Sequence, residues 1–193
     1  PLMEPKVVWT AVSAIAGAIS AVAALFTVWN ARKSAEEERK NKRAFFTISE
    51  PGIKPLPDSP PFRVQITLEN TGVYSATDVK GKLLFVESDL SDDPDYSFDF
   101  SIGNVVDSNT PTPWYNDGLH LPNEVSPHFV VLGIRYLDVR LKEEFSQCFF
   151  MKWSGVNNGT THPDFVHVSI EEKEMVTEHL RDEISLYLNE DDT

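Results

Sequence analysis

Hydrophobic and polar positions divide the chain into three regimes. Residues 7–29, VVWTAVSAIAGAISAVAALFTVW, run for 23 residues without a charge. From residue 44 the period shortens to two, and the last segment returns to helical spacing. As a helix rising 1.5 Å per residue, the stretch from Trp9 to Trp29 covers about 30 Å, the thickness of a hydrocarbon core, with an indole at each interface. The leading expectation is therefore an N-terminal transmembrane α-helix over residues 3–30. A cleavable signal peptide with Ala21-Val22-Ala23 as its processing site is disfavoured because only Lys6 precedes the run. A buried helix of a soluble fold is disfavoured because so long an uncharged run exceeds what most cores use. Pro1 and Leu2 precede a methionine and are read as a cleavage remnant, so the first element is counted from Met3.

On a period of 3.5, Thr10, Ser13, Gly17, Ser20, Ala24, Thr27 and Ala31 form one stripe. Val8, Val12, Ile15, Ile19, Val22, Phe26 and Trp29 form the opposite one. Small residues let helices approach closely, so Ser13, Gly17, Ser20, Ala24 and Thr27 are the expected oligomer interface in the membrane, with Trp9 and Trp29 as interface anchors. The lipid bilayer and further copies of the chain are the partners this implies. Arg32, Lys33, Arg39, Lys40, Lys42 and Arg43 follow the run, which places the C-terminal domain in the cytoplasm of a single-pass inner-membrane protein. Residues 31–43 read as a charged helical stalk, with Glu36 and Lys40, and Glu38 and Lys42, at favourable helix spacing.

Beyond the stalk, AFFTISE (44–50) is a strand candidate, and GIKPLPDSPP after it is proline-rich enough to read as a loop. PFRVQITLENTG alternates strictly, with Phe62, Val64, Ile66 and Leu68 on one face, and ends in an Asn70-Thr71-Gly72 turn. Strands continue at 77–88, 96–103, 128–140 and 144–155, with a weaker one at 163–170. Six or seven short strands without intervening helices predict an all-β sandwich or barrel over 44–168. Residues 169–193 predict a C-terminal amphipathic helix and an acidic tail: Ser169 and Glu172 form a capping box, and Met175, Val176, Leu180, Ile184 and Leu188 share one face. That face packs on the sandwich or docks on a partner.

ITLENTGVYSATDVKGKLLF resembles the strand-turn-strand opening of immunoglobulin-like sandwich modules in bacterial proteins, and IRYLDVRLKEEFSQCFFMKW resembles their later hairpin. A single span followed by such a module is similar to an arrangement of uncharacterised bacterial membrane proteins. The resemblance implies an immunoglobulin-like fold and implies no activity. The later hairpin carries Leu141-Lys142 where a glycine is expected, which leaves its turn type open.

Charge narrows the partners. Residues 44–193 hold 10 basic and 26 acidic residues, a net of −16, which repels phosphate backbones and argues against nucleic acid. The single cysteine, Cys148, permits no intrachain disulfide and sits in an apolar strand as a core thiol. Five histidines show no metal-type spacing, and the acidic run DLSDDPDYSFD lacks the central glycine and closing glutamate of an EF-hand loop, so no metal and no cofactor is expected. No phosphate-binding loop, nucleophile elbow or dinucleotide fingerprint is present, and the chain is not read as an enzyme. Asn158-Gly159-Thr160 reads as a turn. Arg135, Arg140 and Lys142, with Lys80 and Lys82 on an earlier strand, are a candidate anion-binding patch for a phosphate or nucleotide, weighed against edge charges that prevent sheet aggregation. The function expected first is a membrane-tethered module binding a protein partner or small ligand. A regulated membrane effector of stress or defence type is second, and a membrane enzyme with an unrecognised site third.

Overall fold

The computed structural model describes residues 5–56 and 62–188, with side chains described except at 5–19, 21 and 40. The chain divides into two units, residues 1–42 and 43–193. The first is one helix, α1 (Pro5–Asn41). The uncharged run is thus helical, and the helix continues into the charged stretch, where Lys42 and Glu38 pair one turn apart at 2.5 Å. The transmembrane assignment is corrected: among the described residues no helix is long and apolar enough to cross a membrane.

The second unit holds two facing sheets. One has the order β1-β2-β5, from β1 (Phe46–Pro55), β2 (Phe62–Asn70) and β5 (Pro111–Leu119). The other has the order β10-β7-β6-β3-β4, from β3 (Ala76–Glu87), β4 (Tyr96–Ile102), β6 (His128–Asp138), β7 (Glu144–Trp153) and the short β10 (Val166–His167). A two-stranded ribbon joins β8 (Val156–Asn157) to β9 (Thr160–Thr161). Val64, Ile66 and Leu68 of β2 meet Leu83, Phe85, Leu132, Ile134 and Trp153 of the larger sheet in one core. The domain is β-rich and its two-layer arrangement is consistent with a sandwich. The loop read over residues 52–61 is corrected at its start, since β1 runs on through Pro55. β5 was not foreseen: its Pro111 and Pro113 sit on an edge strand, where a missing N–H costs no ladder bond.

The closing segment is not the single helix its spacing predicts. It consists of α2 (Ile170–His179), α3 (Arg181–Ile184) and a 3-10 turn (Ser185–Tyr187), with Leu180 ending one helix and starting the next. The capping box at Ser169 and Glu172 forms as read. Val176, Leu180 and Ile184 pack on Leu84, Val86, Phe129, Val131 and Phe150, whereas Met175 is half exposed and does not join them. This cover explains why β6 is apolar on successive positions: Phe129 and Val131 meet the helices, and Val130, Leu132 and Ile134 meet the other sheet.

Four buried side chains fasten the start of the domain. Asn70 accepts from the N–H groups of Phe45 and Gly72 and donates to the carbonyls of Tyr74 and Val106. Asp138 accepts from the Ala44 N–H at 2.8 Å. The Tyr136 hydroxyl donates to the Ala44 carbonyl at 2.7 Å, and Gln147 both accepts from and donates to the backbone of Phe46. Burial pushes the Tyr136 phenol up to about 12. Because the folded state holds the proton more tightly than the unfolded chain, stability is kept up to about pH 10 and lost towards pH 12, by about 2–3 kcal/mol. Denaturant midpoints of the wild type should fall more steeply over that window than those of Tyr136→Phe. Parallel curves would show that this hydroxyl does not control the transition.

Candidate functional site

Where two sheets face each other, their open edges leave slots. One such slot lies between β1 of the smaller sheet and β7 of the larger, because among the described residues β1 has β2 as its strand partner and otherwise a single bridge from Gly52 to Asp164, and β10 covers β7 only opposite Met151 and Lys152. The slot is closed at two points. Gln147 bridges it at Phe46, through bonds of 2.8 and 3.1 Å. At the other point the Ile53 N–H donates to the Pro163 carbonyl at 2.9 Å. Gly52 permits that approach, since a Cβ there would stand 2.1 Å from the Pro163 oxygen.

Between the closures is a hollow of about 630 Å³. Its walls are Ile48 and Pro51 from β1, Phe149 and Met151 from β7, and Phe165, Val168 and Ile170 from the segment leading into α2. Phe45 and Ile170 stand on the rim, 43% and 75% exposed, so the apolar surface continues outwards. Among the described residues no acidic one lines it; Lys173 and His167 do, in a domain where acidic residues outnumber basic ones. Lys173 lies 5.5 Å over the Phe150 ring, and the Ser169 cap fixes the first turn of α2 beside it. The bulge between Ser49 and Gly52, with Glu50 at φ 50° and Pro51 next to it, breaks the regular edge of β1. An added strand would lose its ladder there, whereas apolar side chains can enter from outside.

The residues singled out from sequence lie elsewhere. Arg135 is in register with Lys80 on the neighbouring strand, with Glu144 3.8 Å from Arg135 and Asp78 3.2 Å from Lys80. Lys82 pairs with Glu183 of α3. Arg140 and Lys142 are exposed on the β6–β7 turn, where Lys142 itself adopts the left-handed φ of 60° expected of a glycine. The structure therefore sets Arg135 beside Lys80 and leaves Arg140 and Lys142 on the turn beyond. In α1, Trp9, Ser13 and Gly17 lie outside the described side chains. Ser20, Ala24 and Thr27 fall on one face of the helix, the Thr27 hydroxyl donates to its own helix at the Ala23 carbonyl, and Trp29 stacks near Phe26 and Lys33. Sequence reading missed the hollow, because its walls come from three separated segments. The exposed Phe45 and Ile170 were its one local trace. Comparison with models of known protein families gives no match, and neither does comparison with curated protein sequences.

Proposed function

We propose that the β-rich domain is a binding module, an immunoglobulin-like sandwich that accepts an extended segment of a protein partner in the slot between β1 and β7. The segment places apolar side chains in the hollow and carries acidic residues on its flank, towards Lys173 and His167. One observation carries this reading: an apolar hollow with an exposed apolar rim, lined by no acidic side chain among the described residues of a strongly acidic domain. The strand order supports the sandwich assignment, since β1-β2-β5 facing β7-β6-β3-β4 follows the connectivity of strands A, B and E against G, F, C and C′.

The test is fluorescence anisotropy of the whole chain with two labelled peptides. Both carry phenylalanine and leucine two positions apart, one flanked by aspartates and the other by lysines. Saturable binding of the aspartate-flanked peptide is expected. Phe45→Asp with Ile170→Asp should weaken it at least tenfold while leaving the fold intact, because both side chains are exposed and an acid in the first turn suits a helix. Lys173→Glu should abolish the preference between flanks. Unchanged binding by the Phe45 and Ile170 variant, or binding of neither peptide, would overturn the proposal.

A further inference from the structure

His128 is polar yet only 1% exposed, with Trp153 and Tyr96 rings 5.8 and 6.1 Å away. It opens β6 in register with Glu87, the last residue of β3, and Asp95 lies just before β4. Its Nδ1 is 2.7 Å from the Ser126 carbonyl, which can only accept, so Nδ1 carries the ring proton. In the neutral ring Nε2 then presents a lone pair to the Asp95 carboxylate oxygen 2.8 Å away. Two lone pairs at that distance repel unless a positive charge stands between them. Glu87 adds a second carboxylate, itself held by the Ser126 hydroxyl. The three ligand atoms lie within 4.8 Å of one another.

We propose that Glu87, Asp95 and His128 form a site for a divalent cation of the zinc class. A single proton on Nε2 neutralises one of the two carboxylates, whereas a divalent ion balances both. One imidazole and two carboxylates are a donor set zinc accepts, and a ring N–H donated to a backbone carbonyl is the usual way a ligating histidine is oriented. Ligands at 2.0–2.1 Å from zinc stand about 3.3 Å apart in a tetrahedron, so side-chain rotation would draw Asp95 back from its 2.8 Å contact with the ring and bring the Glu87 carboxylate to the ion. Asp95 is 43% exposed and leaves the site open to solvent, while the net negative charge of the domain concentrates cations near it. The ion would tie the acidic segment between β3 and β4 to the first residue of β6.

The probe is Co²⁺, followed by its visible absorption on titration into the chelator-treated whole chain, and then displaced by Zn²⁺. One equivalent should produce a band, and Zn²⁺ should remove it and raise the melting temperature. Glu87→Gln and Asp95→Asn, which keep shape and fold, should each weaken binding at least tenfold. Circular dichroism checks that these variants are folded. Absence of a band with no thermal shift would overturn the site and leave a plain ion pair between His128 and Asp95. Undiminished binding by the combined Glu87→Gln, Asp95→Asn variant would overturn it equally.

Discussion

Asp138→Ala should cost about 3–5 kcal/mol of stability, the largest effect expected of any single polar residue here. Its side chain is fully buried and accepts three backbone hydrogen bonds. Oδ2 takes the Ala44 N–H at 2.8 Å; Oδ1 takes those of Arg140 at 2.9 Å and Leu141 at 2.8 Å. The carboxylate thus joins the first residues of the domain to the β6–β7 turn. Truncation removes the acceptor and leaves the buried Ala44 N–H without it, at a cost of about 1–3 kcal/mol for that group alone. The turn loses two further bonds, each to a charged acceptor and so stronger than a neutral one. Asp138→Asn keeps one oxygen and should lose about half as much. Urea denaturation of the whole chain measures both, and a loss below about 1 kcal/mol for alanine would show that the turn and the first strand hold without this residue.

The same residue shows where sequence reading stops. The alternation of Val64, Ile66 and Leu68 announced β2 because burial on one face of a sheet leaves a local, period-two trace. Asp138, Gln147 and Asn70 leave none: each looks like an ordinary polar strand or turn residue, and its buried role exists only once residues 44–46 arrive from the far end of the domain. β5 was hidden for a different reason, since Pro111, Pro113 and the Asn116-Asp117-Gly118 run carry turn chemistry that only an edge position tolerates. Asp117 moreover makes a paired contact to Arg63 of β2 at 2.6 Å, which ties this edge strand to its neighbour by side chains. The capping box at Ser169 was legible because both partners lie within one turn. The hollow was not, because Phe149, Phe165 and Ile48 share no periodic pattern. His128 gave no signal either, since Glu87 reaches it through the register of β3 with β6 and Asp95 comes from the segment just before β4. In α1 the uncharged run did specify a helix, and among the described residues no helix is long and apolar enough to cross a membrane.

Phe85→Ala should cost about 3–5 kcal/mol, and it should also reach both proposed sites. The Phe85 ring is fully buried and meets four others edge-on: Tyr96, Phe98, Trp153 and Phe165, at centroid distances of 6.1, 6.2, 6.1 and 6.0 Å. Phe165 is a wall of the hollow, while Tyr96 and Trp153 stand beside His128. Truncation removes the common support, leaving a void among rings too large to collapse onto it completely. Phe85→Leu refills most of the volume and should recover roughly half of the stability, but it cannot restore edge-on contacts that contribute about 0.5–1.5 kcal/mol per pair. Near-ultraviolet circular dichroism should therefore weaken in both variants, since Trp153 loses a fixed aromatic neighbour. Peptide anisotropy and the Co²⁺ band then separate two outcomes in the leucine variant, which remains folded. If Phe165 depends on Phe85 for its position, peptide binding falls although no lining residue has changed. If stability recovers with both readouts intact, the rings are held by their own strands and the aromatic cluster contributes to the core alone.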